Sequence, residues 1–146
     1  MKVTNSMRTI VDSRSVNEGF ARVTVSTFAS QLDPTVEELS DIKTAVSEAV
    51  TNCIVHAYRE KSGKIYISTD ILDDSIVRIK IRDRGCGIDD IQQAMEPLYS
   101  SLGGERAGLG FAVMESFMDK IKVRSTPGKA TTVTLQKKIN GKYNHD

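Results

Sequence analysis

A carboxylate, a carboxamide and an imidazole recur at intervals of four in the middle of this chain: Glu48, Asn52 and His56. On an α-helix, residues four apart stack on one side, so the three form a polar row along one flank. A carboxylate in such a row can accept a proton, and a carboxamide oxygen can ligate a hard cation such as Mg²⁺. The same row on a solvated flank would do neither. A second acid opens the segment Asp83-Arg84-Gly85-Cys86-Gly87-Ile88, where two glycines let backbone come close to a neighbour. A third cluster is Arg106 followed by Gly108-Leu109-Gly110, at the start of an apolar-striped segment. The N-terminus of a helix offers unpaired N–H groups to an anion, and glycine lets a phosphate reach them. An arginine just ahead suits a terminal phosphate. Taken singly, each glycine pair is equally at home in a structural turn, and Arg106 in solvent. There is no Gly-x-x-x-x-Gly-Lys-Ser/Thr sequence, which excludes a P-loop. Neither glycine pair completes the dinucleotide fingerprint.

These residues need elements to hold them. Ile42, Ala45, Val46, Ala49, Val50, Cys53, Ile54 and Ala57 follow the i, i+3, i+4, i+7 spacing of a core-facing helix. The helix is expected to start at Asp33-Pro34-Thr35, with Pro in its first turn, and to run to about Tyr58. Before it, Ser15-Val16-Asn17-Glu18 reads as a capping box, opening a helix with Phe20, Val23, Thr27 and Phe28 on its buried face. Strand alternation appears weakly over 7–11 and clearly at Ile65, Ile67, Thr69 and Ile71. It recurs at Val77, Ile79 and Ile81, where Arg78, Lys80 and Arg82 take the other face. The turn signal Asp73-Asp74-Ser75 makes these two an antiparallel hairpin, with Asp83 at its end. A short helix is expected over about 90–95 and a mobile loop over about 98–107, then a helix carrying Leu109, Val113, Met114, Phe117 and Met118. Strands over 121–125 and 131–136, joined by Thr126-Pro127-Gly128-Lys129, complete the chain before a polar tail from Lys138, about 138–146, that is expected to be frayed. The sum is an α+β fold, a two-layer sandwich with helices on one face of a mixed, mostly antiparallel sheet.

The 146 residues fit a single domain. Lys and Arg total 20 against 19 Asp and Glu, a net charge of +1. That sum argues against a nucleic-acid or membrane partner. No apolar run reaches a membrane span and no apolar signal core opens the chain. Cys53 and Cys86 lack metal-pair spacing, so a reduced, cytoplasmic protein is expected.

The order of the motifs is more specific than any one of them. Glu48-x-x-x-Asn52, then Asp83-x-Gly85-x-Gly87, a loop, Gly108-x-Gly110 and a closing strand pair with Thr131-Thr132 resemble the Bergerat-type ATP-binding fold. Gyrase, MutL, heat-shock chaperones and histidine kinases share that fold. Within it the chain is similar to the small anti-sigma serine kinases, above all the anti-sigma F factors of spore-forming bacteria. The similarity runs from about Met7 to Lys137. It is carried by Phe20-Ala21-Arg22-Val23-Thr24-Val25, Gln31-Leu32-Asp33-Pro34-Thr35, Ser47-Glu48-Ala49-Val50-Thr51-Asn52, Gly110-Phe111 and Met114-Glu115-Ser116-Phe117-Met118-Asp119.

The resemblance implies an ATP/ADP site in which Asn52 ligates Mg²⁺ and Glu48 is the general base toward a serine hydroxyl. Asp83 would bond the adenine amine, with Gly85, Gly87 and Thr131 around the base. Gly108, Leu109 and Gly110 would cradle the phosphates, and Arg106 would touch the terminal one. It implies a homodimer that binds a sigma factor of the sigma F type and phosphorylates an anti-anti-sigma protein, Arg22 contacting both partners. A sigma-binding module with little kinase activity and a stress-response anti-sigma kinase remain alternatives. Two departures stand out: Ala130 replaces a usual glycine, and the loop before Arg106 is one residue shorter.

Overall fold

Alternation of apolar and polar residues fixes which side of each strand is covered. The structure, a computed structural model, describes residues 2–58, 62–88 and 109–142. Five strands, β1 (Val3–Asp12), β2 (Lys64–Leu72), β3 (Ile76–Asp83), β4 (Lys120–Thr126) and β5 (Ala130–Lys138), form one sheet in the order β1-β2-β3-β5-β4. Every pairing is antiparallel. Ile65, Ile67 and Ile71 of β2, Val77, Ile79 and Ile81 of β3, and Val133 and Leu135 of β5 all point to one face and are buried. Three α-helices among the described residues, α1 (Val16–Ala29), α2 (Val36–Asn52) and α3 (Leu109–Phe117), go with it. Their buried residues join those strands in one core, and the resulting fold is the expected α+β sandwich. The expected short helix near 90–95 and the loop of 98–107 lie outside the described residues.

Helix α2 is the spine. Ile42, Ala45, Val46, Ala49 and Val50 are 0–1% exposed, and each fully buried aliphatic of Val or Ile size contributes about 1.5–3 kcal/mol. Its start differs from the expectation. Pro34 stays outside, and Thr35 is the N-cap of a capping box: its hydroxyl accepts the Glu38 N–H (3.0 Å) while the Glu38 carboxylate accepts the Thr35 N–H (2.9 Å). The same carboxylate accepts the backbone N–H of Asn140 (2.7 Å) and Gly141 (3.1 Å), tying the segment after β5 to the start of α2. Burial alone would raise the Glu38 pKa, but these N–H groups outweigh it and hold the carboxyl below its ordinary value.

Helix α1 overturns two expectations. Ser15 is in a helical conformation and its side chain makes no cap bond, so Ser15 to Glu18 is not a capping box. Its buried face is Ala21, Val25, Ser26 and Ala29, whereas Phe20 and Val23 are 54% and 55% exposed and Thr27 is exposed. Small residues let α1 approach the core closely, and the bulkier stripe falls on the outer side; Phe28 alone of the expected face packs against the core.

The end of α2 also departs from the expectation. The α-helix stops at Asn52, and Cys53–Ala57 form a π turn in which the Tyr58 N–H reaches the Cys53 carbonyl (3.0 Å). A π turn is wider than 3.6 residues, so the regular α-helix expected to run to Tyr58 is interrupted after Asn52.

Candidate functional site

The π turn matters because the chain returns to it. The Ala57 carbonyl accepts the Cys86 N–H (3.0 Å), and the Cys86 thiol donates to the His56 carbonyl (3.3 Å). Gly85 is compulsory at this crossing, since a Cβ there would lie 2.4 Å from the Ala57 oxygen. Gly87 is compulsory for two reasons: its φ is +72°, and a Cβ would sit 2.4 Å from the Thr126 carbonyl. The Gly85-Cys86-Gly87 segment is thus clamped between the end of α2 and the β4–β5 turn, where the Gly128 N–H donates to the Cys86 carbonyl (2.6 Å).

Asp83 closes β3 directly behind that clamp and is 3% exposed. One carboxylate oxygen accepts the Gly85 N–H (2.9 Å). Across the β3–β5 pair it stands opposite Thr131. Burial pushes its carboxyl above the ordinary value, partly offset by the Gly85 N–H, the Cys53 thiol and the Thr131 N–H. Burial, with the adjacent Asp83 charge, holds the Cys53 thiol well above its usual range, which fits an inert core residue. The Thr131 hydroxyl is 2.9 Å from that of Ser125, which accepts the Ile88 N–H (2.7 Å) and donates to the Ala130 carbonyl (2.9 Å). With the Ser125 proton committed to Ala130, Thr131 donates to Ser125 and keeps its own lone pairs for an acceptor role.

The second cluster lies one turn back along α2. A Cβ on Gly110 would stand 3.0 Å from Asn52 Oδ1, 3.2 Å from Asn52 Nδ2 and 3.4 Å from Glu48 Oε2. The carboxylate and carboxamide therefore converge on the first turn of α3, and the space a side chain would fill there is open to them. Helix-start N–H groups, a carboxamide and a carboxylate form a donor set suited to phosphate oxygens and a hard cation together. No group of three or more His, Cys, Asp or Glu suited to a metal occurs among the described residues.

Residues 11–137 match the histidine kinase-like ATPase domain. The chain is 55% identical over 140 residues to the anti-sigma F factor of Caldanaerobacter subterraneus subsp. tengcongensis, covering 95% of this chain and 97% of that protein. The chain belongs to the anti-sigma F factor family. It is 53% identical over 136 residues to that of Clostridium acetobutylicum, covering 92% and 94%. Among solved structures, the RsbU and RsbW domains of Rv1364c from Mycobacterium tuberculosis share the fold with a TM-score of 0.66 at 20% identity, covering 93% of this chain and 32% of that one. The catalytic domain of histidine kinase ThkA does so with a TM-score of 0.54 at 14% identity, covering 90% and 96%.

Against the residues singled out from the sequence, the structure gathers Glu48, Asn52 and Gly110 in one place, and Asp83, Gly85, Gly87 and Thr131 in an adjoining one. Cys53, next in sequence to Asn52, lies against Asp83 and joins the two. Arg106 and Gly108 lie outside the described residues, as does the side chain of Leu109. Arg22 is on α1, where it pairs with Glu18 (3.6 Å) beside the exposed Phe20 and Val23. Sequence reasoning missed Ser125. The signal was present: it takes the third inward position of β4 after Ile121 and Val123, and a hydroxyl at a core position needs a partner.

Proposed function

We propose that this chain is a Mg-ATP-dependent protein serine kinase that holds a sigma factor of the sigma F type and phosphorylates that factor's anti-anti-sigma antagonist. The observation that carries the reading is the convergence of Glu48 and Asn52 on Gly110 beside the Asp83 pocket. Asp83 accepts the exocyclic amine of adenine, Thr131 adds an acceptor, and Gly85 and Gly87 let the base lie against backbone. Gly108, Leu109 and Gly110 receive the phosphates at the start of α3, with Arg106 on the terminal one. Asn52 would hold Mg²⁺ by its carboxamide oxygen, and the ion would supply charge neutralisation at the phosphate oxygens. Glu48 accepts the proton of the serine hydroxyl as its Oγ bonds to the terminal phosphorus and the bridging oxygen leaves with ADP. Positioning and charge stabilisation dominate phosphoryl transfer, which fits a site made of so few side chains.

The exposed side of α1, with Arg22, Phe20 and Val23, supports a shared docking surface for the sigma factor and its antagonist, so that binding is mutually exclusive. The active unit is a homodimer in the cytoplasm. The test is incubation with ATP labelled in its terminal phosphate, together with the sigma factor and a candidate antagonist. Label on an antagonist serine is the expected result. Nucleotide and sigma binding without any label would reduce the protein to a binding module, and label on histidine would make it a histidine kinase.

A further inference from the structure

The net charge of +1 conceals a segregation. Helices cover one face of the sheet, and three successive outward positions on each of the two strands that flank β5 are cationic: Arg78, Lys80 and Arg82 on β3, and Lys120, Lys122 and Arg124 on β4, with Ile76 and Thr126 at the strand ends. Five of these are exposed, and Arg78 is half-buried. The register aligns them in rows, because Arg82 and Arg124 both face Thr132, Lys80 and Lys122 both face Thr134, and Arg78 and Lys120 both face Gln136. Cations within a strand are roughly 6.7 Å apart, and those across β5 roughly 9.6 Å apart. Polar donors fill the middle row. Among the described strand residues the acids of this face are Asp12 and Asp70: Asp12 pairs with Lys64 (2.5 Å), and Asp70 pairs with Arg78 (2.9 Å), which leaves five cations of the rows for a partner.

We infer that the outer surface of β3, β5 and β4 is a docking face for the phosphodiester backbone of a DNA duplex. Lysine on an edge strand also discourages strand pairing, which would account for β4; it does not account for β3, a central strand with three further cations. Phosphate recognition uses Arg and Lys with Ser, Thr and Gln as neutral donors, which is the composition of these rows. A protein partner calls for an apolar centre within the patch, and the middle row here is Thr132, Thr134 and Gln136. A single strand calls for aromatic platforms, and Tyr66, the aromatic of this face, is covered by the Arg84 guanidinium at 4.9 Å. A membrane surface calls for an apolar wedge beside the cations, which these three strands do not present.

The experiment is fluorescence anisotropy of a labelled duplex of random sequence, about two helical turns long, titrated with the full chain. Expected is sequence-independent binding in the range of about 10⁻⁴–10⁻⁶ M at physiological salt. With about five phosphates engaged, raising salt from about 50 to about 200 mM should weaken it several hundred-fold. The variant Lys80→Gln, Lys122→Gln, Arg124→Gln should lower the salt slope by about 3 with thermal unfolding and nucleotide binding unchanged. If that variant does not fold, Lys122→Gln alone should lower the slope by about 1. No binding at the lower salt, binding indifferent to these substitutions, or binding to phosphatidylglycerol vesicles at least as tight as to DNA each overturns the inference. None of these readouts depends on kinase activity.

Discussion

The two ends of the site are made of different material. At the Asp83 end the walls are backbone: Gly85 lies against the Ala57 carbonyl and Gly87 against the Thr126 carbonyl, with the Ile88 N–H held by the Ser125 hydroxyl. At the Glu48 end they are side chains set four apart on one helix and facing a glycine on another. A backbone-built pocket is held in shape by the fold, so its substitutions act through sterics and reach stability. A side-chain-built pocket is shaped by the side chains themselves, so its substitutions act on chemistry and leave the fold alone. The difference implies that nucleotide affinity and transfer rate are separable in this protein, and four substitutions test that.

The largest effect should come from Glu48→Gln. The amide keeps the shape and loses the proton acceptor. General-base catalysis is typically worth about 10²–10⁴-fold, so serine phosphorylation should slow by at least ~10²-fold while Mg-ATP and sigma binding persist. Kinetics with the antagonist and calorimetry with the nucleotide decide it. A transfer rate near that of the parent would remove the base role, and loss of nucleotide binding would break the separation of the two ends.

Gly87→Ala attacks the other end. A left-handed backbone costs a non-glycine residue about 1–2 kcal/mol, and a Cβ pressed on the Thr126 carbonyl adds roughly 1–3 kcal/mol of overpacking. Denaturant unfolding should show a loss of about 2–5 kcal/mol, accompanied by weaker ATP and ADP binding. Unchanged stability would mean that the clamp between α2 and the β4–β5 turn is slack.

Asp83→Asn should weaken ATP and ADP equally, by about 1–3 kcal/mol, because a buried acceptor is exchanged for a donor-bearing amide. The pH dependence has a definite sign. Burial raises the folded pKa above the unfolded value, so the folded protein binds more protons between the two, and stability from this group falls as pH rises through that window. Nucleotide affinity runs the other way. An ionised acceptor makes the stronger bond to the adenine amine, so affinity should drop as pH is lowered through the raised value, above the ordinary 3.8. Calorimetric titration from neutral pH downward should show that drop in the parent and a flat profile in Asp83→Asn; a drop that survives in the variant belongs to another group.

How much of this was legible in the sequence depended on whether local rules decided the matter. Period-two alternation placed β2, β3 and β5 because one face of each is buried and nothing competes with that signal. The polar pair Glu48 and Asn52 was legible because they lie within one α-helix. The π turn that carries His56 was not, because no residue type announces a change in the residue count per turn. On α1 the larger apolar residues suggested a buried face at Phe20 and Val23, yet close helix packing selected Ala21, Val25 and Ala29. The capping box expected at Ser15 stands instead at Thr35, where Glu38 also holds the segment after β5, more than a hundred residues away. The cationic rows were invisible to a summed charge, since alternation in two strands far apart in sequence becomes one patch only once β5 lies between them.

The smallest effect, and the sharpest test of the contrast between the ends, is Gly110→Ala. Two terms oppose each other in stability. Alanine within a helix gains up to about 1 kcal/mol over glycine, while the new methyl meets Asn52 Oδ1 at 3.0 Å and Nδ2 at 3.2 Å. Those atoms end a flexible side chain, so a few tenths of an ångström of movement relieves the contact at small cost. Unfolding free energy should therefore stay within about 1 kcal/mol of the parent. The movement falls on the carboxamide proposed to hold Mg²⁺, so Mg-ATP affinity should drop by about 1 kcal/mol, roughly five-fold. Adenosine without phosphates, which reports the Asp83 end alone, should bind as before. A loss shared by adenosine and Mg-ATP would show that Gly110 shapes both ends, and the division between a backbone-built and a side-chain-built pocket would not hold.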